Sequence, residues 1–118
     1  MRTQTKITGS AAEALIYPLL LLLLCWAIWL LETTPGGHSL VEYGIRPRHW
    51  SSWKGVLLMP LLHDPSSIKH LLNNSLPTYL LLAAVIYYYR EIAWKVFLVS
   101  WIGTGLIVWG IAEDNGSY

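Results

Sequence analysis

Charge is what this chain lacks most. Only 13% of its 118 residues are Asp, Glu, Lys or Arg, against ~25% in a typical soluble domain. The deficit is uneven: charges are almost absent from residues 15–31, 71–89 and 96–111 and gather between those runs. A formal net charge of +1 with no cluster of Lys and Arg excludes an electrostatic case for nucleic acid as a partner. Cysteine is equally scarce. Cys25 is single, so it forms no internal disulfide, and its place in an apolar run reads as a small filler. His38, His49, His63 and His70, with Asp64, follow no compact metal-ligand spacing, and no cysteine pair supports them. A Gly-rich phosphate cradle is missing too. No cofactor and no metal are expected.

What the chain has instead is apolar length. It is 54% hydrophobic with a mean hydropathy of +0.44. Runs of about 17 residues or more are long enough to cross hydrocarbon at roughly 1.5 Å per residue. The expectation is an all-α membrane protein with three transmembrane helices and the lipid bilayer as its first partner. Residues 1–13 form a polar cytoplasmic segment, 14–111 the transmembrane part, and 112–118 an acidic tail. The first run exceeds a signal-peptide h-region of ~7–15 residues. It ends in Leu31-Glu32-Thr33-Thr34-Pro35 without a small-residue cleavage pattern, so it reads as a retained helix.

The first helix is expected from Ala14 to Glu32, with Pro18 near its first turn and Trp26 and Trp29 at the far headgroup belt. The second starts with Asp64 as cap and Pro65 in the first helical position, and runs to Arg90. Tyr87, Tyr88 and Tyr89 form its interfacial girdle. After an Arg90-Glu91 turn, the third begins at Trp94-Lys95. Ser100, Gly103 and Gly110 share one face of it, a strip that suits close helix approach and self-association or a complementary fragment; Gly105 lies off that strip. Between the first two helices, residues 33–63 are rich in Trp, Tyr and Arg and include the short apolar stretch Val56–Leu62. That stretch is too short to span, so an interfacial or re-entrant element packed on the helices is expected.

Basic residues divide evenly. Arg2, Lys6, Arg90 and Lys95 lie on one side; Arg46, Arg48, Lys54 and Lys69 lie on the other. Because the positive-inside rule holds best for short segments, the N-terminus is placed in the cytoplasm of a multi-pass protein of the cell (inner) membrane.

His70 and Asn74 are the polar pair that asks for a reason. Four residues apart, they share a helical face, and both can donate hydrogen bonds to one oxygen. Such donors suit a developing oxyanion, where one is worth about 3 kcal/mol. Spacing alone also allows a helix end whose His and Asn merely touch water. Pro77 frees the carbonyl of Asn73 just beyond.

Gly44-Ile45-Arg46-Pro47-Arg48, Trp53-Lys54-Gly55-Val56, Pro60-Leu61-Leu62-His63-Asp64 and His70-Leu71-Leu72-Asn73-Asn74-Ser75-Leu76-Pro77 together resemble the first third to half of a rhomboid intramembrane serine protease. The likeness covers residues 43–110, and Trp109-Gly110 resembles the end of the family's third helix. It implies the first half of a six-helix fold, cleavage of transmembrane segments of other proteins, and a Ser-His dyad without cofactor. His70 and Asn74 match the two oxyanion-hole positions, and Arg46–Arg48 match the structured first loop. The family's Gly-x-Ser-Gly nucleophile motif and later histidine base have no counterpart here. Ser117, in Gly116-Ser117-Tyr118, lacks the second glycine, and Ser100 is expected in the half of the bilayer opposite His70. The resemblance therefore implies the N-terminal portion of such an enzyme, inactive alone, or a pseudoprotease fragment serving as a membrane protein-binding scaffold.

Overall fold

The computed structural model describes residues 8–37 and 40–114. Arg2, Lys6, His38, Ser39 and Ser117 lie outside the described residues. Among those described there are helices and no strands. Four α-helices follow in order: α1 (Ala11–Thr33), α2 (Trp53–Leu58), α3 (Ile68–Tyr88) and α4 (Arg90–Ile111), with 3-10 turns at Leu40–Tyr43, Trp50–Ser52 and Met59–Leu61. They form a slab of 54 × 32 × 19 Å.

α1 begins three residues earlier than the apolar pattern suggests. The Ser10 hydroxyl accepts from the Glu13 N–H at 3.1 Å, and this cap recruits the polar Ala11–Glu13 turn into the helix. Pro18 is thereby moved from the first turn to the third, where it is fully buried. At the start of α3 the correction runs the other way. Asp64 Oδ1 accepts from both the N–H and the hydroxyl of Ser66, at 2.8 and 2.6 Å, closing a local Asx turn. That turn consumes the would-be cap, and α3 starts only at Ile68 behind an uncapped Ser67. The α3–α4 junction is tighter than expected. Tyr89 alone separates the helices, so Arg90 and Glu91 form the first turn of α4.

α1 and α3 are antiparallel and in contact along their length. The Trp29 indole donates to the Asp64 carbonyl at one end, and the Gly9 N–H donates to Tyr87 O at the other. Midway, the Trp26 indole donates to Ser75 Oγ at 3.1 Å. Trp26 is thus a helix-to-helix tie.

α4 leans on α2 more than on its chain neighbour α3. The close approach is made by Gly105, the glycine off the predicted strip. A Cβ there would lie 2.7 Å from Val56 O and 2.8 Å from its Cγ1, whereas Gly103 and Gly110 face open space. Gly55 meets the backbone of Gly44 and Ile45 in the same way. The long first loop is therefore folded and docked as an element of its own, with Ile45 and Pro47 fully buried.

α1 and α4 are long and apolar enough to cross a membrane, with mean hydropathies of 2.5 and 1.6 over their best windows. Only 17% and 11% of those windows are buried. Leu81 in α3 is 69% exposed, Val99 73% and Ile111 78%. Exposed apolar surface of this kind suits contact with hydrocarbon. α3 has the length but carries Lys69, His70, Asn73 and Asn74 in its first two turns, which lower its hydropathy.

Candidate functional site

The site is built where the start of α3 meets the first loop and the C-terminal half of α4. His70 and Asn74 project from one face of α3, and Asn74 Nδ2 lies 3.2 Å from His70 Nε2. With the amide donating, Nε2 is the acceptor and the imidazole proton sits on Nδ1. The two donor residues are therefore tied to each other, and Asn74 keeps its second N–H for another oxygen. The His70 ring packs on that of His63, centroids 5.8 Å apart. Burial holds the His63 imidazole below its ordinary pKa of 6.5; its contact with the Leu61 carbonyl and the Glu32 carboxylate oppose that shift, and His70 adds to it.

Asn74 and His63 open into a cavity of about 290 Å³ between α1, α3, α4 and the Met59–Leu61 turn. Ser75, Thr78, Ser100 and Thr104 supply its hydroxyls; Leu21, Leu22, Phe97 and Trp101 supply apolar wall. Ser100 therefore shares a cavity with Asn74, although His70 is not part of the lining. The antiparallel α3–α4 hairpin explains this: Asn74 and Ser100 stand 15 and 11 residues from Tyr89, about one helical turn apart in height and both within reach of the gap. Among the described residues no hydroxyl hydrogen-bonds to an imidazole, and no group of three or more His, Cys, Asp or Glu gathers as metal ligands. The arrangement offers one amide donor, Asn74, to an oxygen in an apolar cleft, and the described residues assemble no nucleophile-base pair.

The loop residues of the predicted site act on α4. Arg48 adopts φ +60°, which aims its N–H at Trp109 O (2.8 Å) while its Nη1 donates to Ala112 O (2.9 Å). The Trp109 indole returns a bond to His49 O at 3.1 Å, and His49 Nε2 lies 3.1 Å from Asp114. Carbonyls that the end of α4 leaves without helical partners are thus taken by the loop. Arg46 contributes through its backbone, whose N–H and carbonyl both bond to Ser52 Oγ. Ser52 also reaches His49 O at 2.8 Å and is the buried polar residue of this region. Sequence reasoning missed it, because one serine in Trp50-Ser51-Ser52-Trp53 carries no signal that separates it from its exposed neighbour.

Compared with models of known protein families, with curated proteins and with solved structures, the chain matches none.

Proposed function

We propose that this chain supplies the first three membrane spans and the oxyanion-hole half of a rhomboid-like intramembrane serine endopeptidase acting on transmembrane segments. The nucleophile and base would come from residues outside these 118, and the chain by itself does not cleave. The observation that carries this reading is Asn74, tied to His70 and lining a cleft of about 290 Å³ bounded by three helices of 21–23 residues. A docked first loop beside that cleft agrees with the motif resemblance. In this reading α3 is the second of the three spans in chain order, its exposed Lys69, His70, Asn73 and Asn74 lying where the helix enters the bilayer, and residues 8–10 and the Tyr89 hinge face the cytoplasm of the inner membrane.

The test joins the chain to a partner fragment carrying a Gly-x-Ser-Gly motif and a helical histidine. Cleavage of a transmembrane reporter is expected only in the joint complex, with turnover reduced about 100-fold or more by Asn74→Ala. The chain alone is expected to leave a fluorophosphonate probe unreacted. Probe labelling lost on Ser100→Ala would overturn the division of labour. Tight complex formation without cleavage would favour the scaffold reading, for which the closed His70–Asn74 bond already speaks.

A further inference from the structure

His70, Asn74 and Thr78 follow one another at four-residue intervals, so they lie a turn apart on one face of α3. Asn74 and Thr78 line the cleft and His70 does not. The arm of the Asn74 amide turned away from His70 is therefore the one toward the cleft, and that arm is the carbonyl. The other arm, Nδ2, is engaged by His70 Nε2 at 3.2 Å, a bond in which an amide nitrogen can only donate. It exists only while Nε2 carries no proton. From this geometry we infer that His70 is a proton-operated switch on Asn74: a proton on Nε2 turns the amide over and presents its NH2 to the cleft. Use of the switch rests on the reading of Asn74 as the cleft's donor, but not on cleavage.

A proton taken from water at Nε2 sets two N–H donors against each other across this contact. A half-turn about the Cβ–Cγ bond resolves the conflict, because the amide torsion is soft and its two arms are nearly the same shape. Oδ1 then accepts from the new Nε2–H, and no covalent bond of the chain but that N–H has changed. Both side chains are exposed, so close packing does not lock either one. Before the turn the cleft meets one acceptor and one spare N–H. After it the cleft meets two donors beside a cation, which suits a carbonyl or anionic oxygen. Imidazole is the side chain that changes charge between about pH 5 and 8. The His63 ring stacks on that of His70 at 5.8 Å, and the charging of His63 is opposed first by its burial and then by His70. Asp64 lies within electrostatic reach of His70, Lys69 precedes it on α3, and Glu32 at the end of α1 reaches His63. α4 brings Phe97, Ser100, Trp101 and Thr104 to the cleft, none of which titrates in this range.

The full chain in detergent micelles, isotope-labelled at the nitrogens of histidine and asparagine, is titrated by NMR from about pH 8 to about pH 5. At the alkaline end His70 is expected with its proton on Nδ1 and a bare Nε2, and the Asn74 NH2 protons with nuclear Overhauser contacts to the His70 ring. On acidification those contacts should be lost and contacts to the Thr78 methyl gained, in step with protonation of Nε2. His70→Phe should leave the Asn74 amide unmoved by pH, and His63→Gln should leave the turn in place, both with the backbone amide spectra of α1 and α4 unchanged. Wild type alone overturns the switch if Nε2 already carries the proton at the alkaline end, or if the Asn74 amide keeps its contacts through the His70 titration. An amide that still turns in folded His70→Phe, or no longer turns in folded His63→Gln, would overturn it as well. No cleavage is measured, so each of these results leaves the joint complex with its nucleophile fragment to decide the endopeptidase reading by itself.

Discussion

At the scale of single residues, two glycines of α4 make opposite predictions. Gly105 sits where an added Cβ would press on the Val56 backbone and its Cγ1, with the backbone oxygen 2.7 Å away and unable to swing aside. Gly105→Ala is expected to destabilise the fold by about 1–3 kcal/mol, the usual range for an overpacked contact. Gly103→Ala meets open space and should be neutral or slightly stabilising in a helix. Thermal unfolding in detergent orders the two, and equal midpoints would remove the α2–α4 contact. Ile45, wholly buried in the docked loop, should lose about 2–5 kcal/mol on truncation to Ala.

His63 adds a pH dependence at the same scale. Its folded pKa is depressed chiefly by burial, so the folded state prefers the neutral ring. Its contribution to stability is complete above the ordinary value of 6.5 and is lost as pH falls through the lower folded value. Unfolding midpoints of wild type and His63→Gln should therefore converge as the medium is acidified below about pH 6. A gap that stays constant from pH 7.5 to the acid limit would show that burial does not govern this ring.

At the scale of elements, the docked loop behaves as a cap for α4. Arg48 takes part through its backbone as much as through its guanidinium, at a left-handed φ that suits glycine better than arginine. Arg48→Gly keeps the Trp109 carbonyl bonded and loses only the contact to Ala112, a net change of about 1 kcal/mol. Arg48→Pro removes the N–H and demands a negative φ, so the loop should undock altogether. Limited proteolysis within residues 44–62 is the measurement: rapid cleavage of the proline variant and slow cleavage of the glycine variant are expected. Equal resistance would mean that the loop is held from elsewhere, with Ser52 the next residue to change.

At the scale of the whole molecule, the helices divide by self-sufficiency. α1 and α4 carry enough apolar length to enter a bilayer alone. α3 depends on company, because Asn73, Asn74 and Lys69 enter with it, and Trp26 of α1 waits as a donor for its Ser75. In a translocon insertion assay, isolated α1 and α4 should integrate fully, α3 only in part, and α3 preceded by α1 more completely. Full integration of isolated α3 would show that its polar turn is sheltered without help. Topology follows from labelling in a Cys25→Ser background. Cysteine at exposed Ser51 should react from outside intact cells and cysteine at Glu91 should not; the reverse pattern inverts the orientation and leaves the helix count standing.

Residue order alone determined the helical class, the two helices of membrane length, the folded first loop and the shared face of His70 and Asn74. Each of these depends on composition or on spacing within one segment, which the backbone's period translates directly into place. Packing partners were another matter. In a chain surrounded by hydrocarbon, lipid-facing and helix-facing sides are equally apolar, so hydrophobic pattern cannot say which side is covered. Ser100, Gly103 and Gly110 look like a contact face by spacing, yet Gly105 is the residue that meets α2. The same ambiguity hid the buried role of Ser52 and the shared cavity of Asn74 and Ser100. Those depended on how far α4 swings from α3 toward the loop, and that angle was decided by steric fit of backbone against backbone at Gly105–Val56 and Gly55–Gly44, which exists only once the segments have met.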